Sequence, residues 1–368
     1  MKRRIGVDLG MRSSHKVVVV DESGNASRPT SIDVSLEGFL KLRDLALGGR
    51  DGCETQVVME PTGNMWLPLA AFLTMYGVPA VISNTRKVSD FRKVLRRYVK
   101  TDAVDGEAMA RLALVDPKRS HVFEMPSADV LSLRRVVKQR DRFVREVTAC
   151  KLRIHAALQM TNPGLMECFG DEKFSITARV MFRDFVDPFP VVRLAEKRFS
   201  QRLRQKGGRA PEEQVHKIFV TCERICALYD EMIQRKALPF NYELMAREIG
   251  AELTAMEFAE AQVKALDESI KELYSRVDPA QTLHQIPGMG DIIAAAIEAF
   301  SSPIDRFRNA RAYASYCGLV PIIAEVGRVP FAFGTLCRAT RLLPLAGVML
   351  LDIGFGGFPI HRVAVGSS

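Results

Sequence analysis

Within its first 120 residues the chain lays down three strand-like runs in succession and then alternates helix with strand, an order that leaves few folds open. Arg4–Leu9 and His15–Val20 are rich in β-branched residues and are joined by Gly10-Met11-Arg12-Ser13-Ser14, which predicts a hairpin. Asp21-Glu22-Ser23-Gly24 closes the second run, and 31–34 predicts a third strand. Leu36, Leu40, Leu42 and Leu45 follow helical spacing up to Gly48-Gly49. The segment 55–59 then predicts a short buried strand, 65–76 a helix, 78–82 a strand and 85–98 a helix.

Three strands followed by helix–strand–helix–strand–helix is the order of a ribonuclease-H-like α/β sheet, and here its strand ends carry acids. Asp8 ends the apolar run Ile5-Gly6-Val7-Asp8, and Glu60 ends Val57-Val58-Met59-Glu60-Pro61. Asp102 and Asp105, in Lys100-Thr101-Asp102-Ala103-Val104-Asp105, stand three apart and share one face of a helix start. A carboxylate at the end of a buried strand can project into a cleft at the sheet edge. Four of them meeting there repel one another unless divalent cations neutralise them. Hard oxygen ligands suit Mg²⁺ or Mn²⁺, and a pair of such ions about 4 Å apart activates an attacking oxygen and stabilises a leaving one. That is the chemistry of phosphodiester cleavage and transfer. Each acid alone has a bland explanation: Asp8 can cap a turn, and Asp102 can cap a helix whose first turn holds Asp105. Glu60 before a proline has no such structural reason, and the ordered set of four is far more specific than any member.

From Ser127 to Met160 the pattern becomes wholly helical, with Val130, Leu133, Val137, Val144, Val147, Ile154 and Leu158 on one stripe up to Asn162-Pro163-Gly164. Met256, Ala259, Val263, Leu266, Ile270, Leu273 and Val277 alternate three and four apart, the a/d spacing of a coiled coil, and Asp278-Pro279 ends it. These helices are expected to pack on each other or on a second copy of the chain, and a homo-oligomer (dimer or tetramer) is expected. The stretch 166–250 is mixed and mostly helical. Pro287-Gly288-Met289-Gly290 ahead of a helix predicts a helix-hairpin-helix, whose Gly288 and Gly290 backbone can hold a phosphate without reading bases.

Of the 368 residues 52 are Lys or Arg and 43 Asp or Glu, a net charge of +9, so the distribution of charge decides whether a polyanion is a partner. Arg86, Lys87, Arg92, Lys93, Arg96, Arg97 and Lys100 surround one acid, Asp90, and lead directly into Asp102. That run is the first candidate nucleic-acid contact. A second basic cluster spans 134–153, and a third comprises Lys197, Arg198, Arg202, Arg204, Lys206 and Arg209. The seven cysteines form no C-x-x-C pair, so free thiols are expected rather than structural zinc. No apolar run approaches the about 18–20 residues of a membrane span, and MKRRIGVD offers no secretory signal. A cytoplasmic protein without a membrane partner is expected.

At the acid constellation the sequence resembles the DEDD-type insertion-sequence transposases, the bridge-RNA-guided recombinases that include the Piv/MooV-type DNA invertases. The matching pieces are Gly6-Val7-Asp8, Glu60-Pro61-Thr62-Gly63, Lys100–Asp105, Ile286-Pro287-Gly288-Met289-Gly290, Phe307-Arg308-Asn309-Ala310 and Tyr316-Cys317-Gly318-Leu319-Val320-Pro321. The resemblance runs from residue 4 to about 326. It implies a RuvC-like metal-dependent catalytic domain over 1–120, a helical coiled-coil linker over 121–280 and a C-terminal transposase domain with the helix-hairpin-helix over 281–328. It further implies that Asp8, Glu60, Asp102 and Asp105 bind Mg²⁺ or Mn²⁺ and that the partners are DNA and a structured guide RNA. A nucleoid-associated place in a bacterial or archaeal cell follows from the same resemblance.

The sequence departs from the family where its serine nucleophile is expected, in a Ser-Gly context after Gly318-Leu319-Val320-Pro321: Val326 precedes Gly327, and no serine stands between Ser315 and Ser367. Residues 329–368 carry only four charges (Arg338, Arg341, Asp352 and Arg362), which marks an atypical tail, out of register with the ancestral reading frame as after a small insertion or deletion. Rival readings are a RuvC-like DNA junction endonuclease and a catalytically defective nucleic-acid-binding remnant. An actin- or sugar-kinase-like ATPase, suggested by Asp8-Leu9-Gly10, fails because only 14 residues follow its one late counterpart, Asp352-Ile353-Gly354.

Overall fold

The computed structural model describes residues 2–10, 14–48, 53–61, 63–95, 102–117, 120, 122–317, 322–326 and 329–333. The chain forms two compact units, 1–127 and 128–368. In the first unit, strands β1 (Lys2–Asp8), β2 (His15–Asp21) and β3 (Thr30–Ile32) precede helix α1 (Leu36–Leu47), strand β4 (Glu54–Met59), helix α2 (Trp66–Met75), strand β5 (Ala80–Ile82), and helices α3 (Thr85–Val94) and α4 (Asp102–Val115). The sheet order is β3-β2-β1-β4-β5. β1 and β2 pair antiparallel, as do β2 and β3, whereas β1 runs parallel to β4 and β4 to β5. This is the mixed α/β sheet expected from the sequence.

Strand alternation sorts the two faces. Ile5, Val7, Val17, Val57 and Met59 point to one side and bury Leu42 and Ala46 of α1 with Leu69, Ala70 and Leu73 of α2. The opposite face carries Arg4, Gly6 and Asp8 from β1, and its Val58 and Val81 pack with Ala108, Met109 and Ala113 of α4 and Val88 of α3. Gly6 is where α4 comes closest. A Cβ at Gly6 would stand 1.8 Å from the Gly106 carbonyl oxygen, so helix and strand backbones are in direct contact. Ala110 and Leu114 continue along α4 beside Val18 and Val20, the register partners of Gly6 and Arg4. The helix therefore descends from Gly6 toward Arg4, antiparallel to β1. Its first turn, with Asp102 and Asp105, lies toward the Asp8 end of the strand.

In the second unit α5 (Ala128–Thr161) is followed by α6 (Ile176–Asp184), α7 (Pro188–Arg193), α8 (Glu196–Gln205), α9 (Glu212–Gln234), α10 (Tyr242–Val277), α11 (Asp291–Ser301) and α12 (Ala310–Tyr316). α5 and α10 run antiparallel in the same chain, pinned by Arg276–Asp129 at 3.7 Å, Arg153–Glu252 at 2.8 Å and the pair Arg140–Asp267. The two apolar stripes thus pack intramolecularly, the first of the two arrangements expected for them. Leu133 and Val137 meet Ile270 and Tyr274 at one end, where α11 adds Ala295, Ile297 and Phe300. Ile154 and Leu158 share a core with Leu253 and Met256 at the other, which α6 to α9 cover. Val144, midway along the α5 stripe, stays 37% exposed, and Phe258, beside the α10 stripe, 60%, so apolar surface remains in the middle of the pair. Because α11 shares a core with α5 and α10, the segments on either side of residue 280 fold as one body. Strands β6 (Ile322–Val326) and β7 (Val329–Phe333) form an antiparallel ladder in which Val326 pairs with Val329. The tail beyond 333 lies outside the described residues.

Cys150, Cys168, Cys222 and Cys317 are buried thiols that form no disulfide among the described residues. Burial pushes the Cys222 thiol up to about 12 and those of Cys150 and Cys226 up to about 11, so they serve as small apolar groups. Among the described residues no helix is long and apolar enough to cross a membrane.

The Gly6 contact is asymmetric, and two substitutions expose it. Gly6→Ala forces strand and helix apart and is expected to cost about 3 kcal/mol or more in urea denaturation, the upper end of overpacking costs. At Gly106 the nearest atom to an added Cβ is 3.4 Å away, an ordinary contact. Gly106→Ala is therefore expected to fall within about 1 kcal/mol of wild type, aided by helix propensity.

Candidate nucleic-acid cleavage site

β1 and β4 lie side by side in parallel, with Val7 opposite Met59. One residue further on, Asp8 and Glu60 occupy corresponding positions at the same strand ends, about 4.8 Å apart at the backbone as neighbouring strands must be. Both are half-buried. Alternation points them to the face that α4 covers, because Asp8 follows Gly6 by two residues and Glu60 follows Val58 by two. The sheet pleat and the glycine contact thus bring three chain segments, around 8, 60 and 105, to one sheet end.

Asp105 is held by Arg92 of α3, whose guanidinium Nη1 donates to the Asp105 carboxylate. Their side chains are only 18% and 15% exposed, so this is a partly buried pair rather than a solvated surface one. Arg92, expected from the sequence to contact phosphate, is therefore committed to one of the four acids. Asp102 starts α4, while its side chain falls outside the described residues. Among the described residues no group of three His, Cys, Asp or Glu stands close enough to hold a metal ion. The donor chemistry nevertheless fits a hard divalent cation: Asp8 and Glu60 offer carboxylate oxygens from adjacent strand ends, and Asp105 stands on the helix start over that face.

The remaining basic residues of that run divide. Lys93 pairs with Asp90 at 3.0 Å in solvent, an interaction worth little. Arg86 and Lys87 are exposed in the first turn of α3, where their backbone N–H groups donate to the Asn84 side chain. Arg96, Arg97 and Lys100 lie outside the described residues. In the second cluster Arg134 is structural: it donates to the carbonyls of Ala299 and of Ser302, the latter at 2.6 Å, closing the C-terminus of α11. Gly288 takes φ +82°, where a side chain would be strained, and it and Gly290 are exposed just ahead of α11. α11 opens without a side-chain cap, leaving its first N–H groups for another acceptor, although Asp291 already sits in that first turn and pairs with His284 at 2.8 Å. Sequence reasoning missed the Arg92–Asp105 pair and the Gly6–Gly106 contact. The glycine two residues ahead of Asp8 and the one directly after Asp105 were the available signals.

A model of the DEDD transposase family of IS110 type, described as "Transposase", matches residues 5–163. A second, described as "Transposase IS116/IS110/IS902 family", matches 280–341, which carries the likeness past Val326 and through β7. The chain is 24% identical over 326 residues to the "Insertion element IS116 uncharacterized 44.8 kDa protein" of Streptomyces clavuligerus, covering 88% of this chain and 77% of that one. It is 22% identical over 349 residues to the "Mini-circle putative transposase for IS117" of Streptomyces coelicolor, covering 92% and 81%.

Arg92→Ala leaves Asp105 as a partly buried charge without its cation. Stability is expected to fall by about 1–3 kcal/mol in urea denaturation, with unchanged far-UV circular dichroism at zero denaturant.

Proposed function

The chain belongs to the IS110-type family of insertion-sequence DNA transposases, and from that premise we propose that it cleaves and transfers DNA strands at the Asp8–Glu60 end of a RuvC-like domain, guided by a structured RNA. The reading rests above all on one observation: Asp8 and Glu60 stand at corresponding ends of adjacent parallel strands, on the face over which α4 presents Asp105. A Mg²⁺ or Mn²⁺ ion held by Asp8, Glu60, Asp102 and Asp105 supplies charge neutralisation and Lewis acidity toward a scissile phosphate. The chain's own residues do the rest. The carboxylates orient the cation, Arg92 balances Asp105 in its absence, and the exposed Arg86 and Lys87 attract the phosphate backbone nearby. The loop before α11, with Gly288 and Gly290, holds a further phosphate. The working form is a homo-oligomer acting in the cytoplasm, at the nucleoid, and the half-exposed middle of the α5–α10 pair offers apolar surface for it.

A second reading is favoured by Val326. It lies in β6, opposite Val329, and valine has no nucleophilic oxygen with which to form a covalent link to DNA. On that reading the protein binds nucleic acid and cation but does not complete strand exchange. The nucleotide sequence around codon 326 separates the two: an alternative frame encoding Ser-Gly and a basic stretch supports a defective copy, and an intact frame together with full recombination contradicts it.

The acids are tested directly with purified protein, guide RNA and a plasmid carrying the element's junction. Asp8→Ala, Glu60→Ala, Asp102→Ala and Asp105→Ala are each expected to lower Mg²⁺-dependent cleavage at least about 10³-fold, roughly 4 kcal/mol of barrier. Folding should persist, and cleavage at wild-type rate by any of the four removes that residue from the site.

A further inference from the structure

Residues 164–279 fall outside both family matches, and they hold α6 to α9 together with all of α10. Within them α8 carries the denser run of exposed basic residues without an ion pair, although Arg135, Lys138 and Arg142 of α5 also lack one among the described residues. On α5, Arg140, Arg145 and Arg153 are spent on Asp267, Asp141, and Glu146 with Glu252; on α6, Arg179 and Arg183 are spent on Glu260 and Glu257. On α8 only Phe199 and Leu203 turn inward, and Lys197, Arg198, Arg202 and Arg204 are all exposed. Neither these four nor Arg209, just beyond the helix, makes an ion pair among the described residues, and of the cluster Lys206 alone does so, with Asp184 at 2.7 Å. The nearest acids are accounted for: Glu196 holds His216 at 3.1 Å, while Glu212 and Glu213 open α9.

The surface is also concave, and its turn is tied to α6 by hydrogen bonds. Arg204, Gly207, Gly208, Arg209, Ala210 and Pro211 line a concavity of about 530 Å³ between the end of α8 and the start of α9. Gly207 takes φ +95°, which only glycine adopts without strain, and this turns the chain back sharply. Arg209 is clamped through its backbone: its N–H donates to the buried Thr177 hydroxyl at 2.9 Å, and that hydroxyl donates to the Arg209 carbonyl at 2.7 Å. α9 begins at Glu212 behind Pro211, which makes no side-chain cap, and Glu212 and Glu213 in its first turn offset its positive dipole end, so the arginines carry the wall's charge. Unpaired guanidinium groups on a fixed concave wall match phosphodiester oxygens, which they can bind bidentately.

We propose that the outer face of α8 and the turn into α9 form a second nucleic-acid surface, which grips a phosphodiester backbone through Arg198, Arg202, Arg204 and Arg209 independently of sequence. The proposal rests on the transposase reading for the presence of nucleic acid, and it assigns to the α6–α9 subdomain a role separate from the acid site. Ten residues of α8 span about 15 Å, which lies against roughly nine duplex charges.

The test measures binding of the full chain to a 30-base-pair duplex DNA and to an RNA hairpin, each across a salt series. The variant Arg198→Ala/Arg202→Ala/Arg204→Ala/Arg209→Ala is compared with Lys41→Ala/Arg235→Ala/Arg247→Ala/Lys271→Ala, which removes equal charge from exposed ion-paired sites. The first is expected to lose about 10²- to 10³-fold in affinity at 0.1 M salt and to flatten the salt slope by about three, and the control to stay within about threefold. Single Arg204→Ala, at an exposed position, should flatten the slope by about one. The ligand that loses more identifies the backbone as DNA or RNA. Wild-type affinity in the patch variant, or equal loss in the control, overturns the proposal while leaving the acid site intact. No binding of either ligand by wild type overturns the proposal and the transposase reading together.

Discussion

One backbone contact carries the architecture of the first unit: the Gly6 strand against the Gly106 carbonyl of α4. No side chain fits between them, so the helix axis rests on the sheet closer than packing through side chains allows. Two consequences follow from geometry alone. Asp8 lies two residues beyond Gly6 on the same face, and Asp105 lies one residue before Gly106 on the helix. The contact that fixes the helix on the sheet therefore also fixes the distance between two of the acids. Hydrogen-bond register between β1 and β4 then brings Glu60 level with Asp8. A site built from strand ends and a helix start inherits its precision from these elements, as loops alone cannot provide.

Asp105 is a partly buried carboxylate, and the chain offsets the electrostatic cost of that burial internally. Arg92 reaches from α3 to Asp105 across the segment that joins the two helices. The pair holds α3 on α4 and keeps Asp105 from standing as a lone charge. On the proposed function a divalent cation at the acids would compete with this guanidinium, so the ion pair and the cation would be alternative ways of satisfying the same carboxylate.

Much of this was legible before any coordinates. The strand and helix order came through because alternation and helical spacing differ sharply in period, and the acids stood out because apolar strands ended on them. The a/d spacing of Met256–Val277 located α10, although periodicity could not say that its partner is α5 of the same chain. The two glycines were hidden because an absent side chain leaves no pattern. Basic clusters are ambiguous in a linear reading for a related reason. Arg140 and Arg153 look like free charges in a linear reading, yet their acids lie about a hundred residues away, at Asp267 and Glu252. Only the folded chain separates those neutralised arginines from the unpaired ones of α8. The helices of 166–250 resisted placement since their apolar residues serve several neighbours at once, around Phe182 and Phe199.

The central claim is that strand register and the glycine contact assemble one cation site from Asp8, Glu60 and the start of α4. Calorimetric titration of Mn²⁺ into the nucleic-acid-free protein tests it without recourse to catalysis. The account predicts that Asp8→Asn, Glu60→Gln and Asp105→Asn each weaken Mn²⁺ binding at least about tenfold, roughly 1.4 kcal/mol, with the fold retained. Unchanged Mn²⁺ affinity in all three variants would contradict it, because the three acids would then not share a cation.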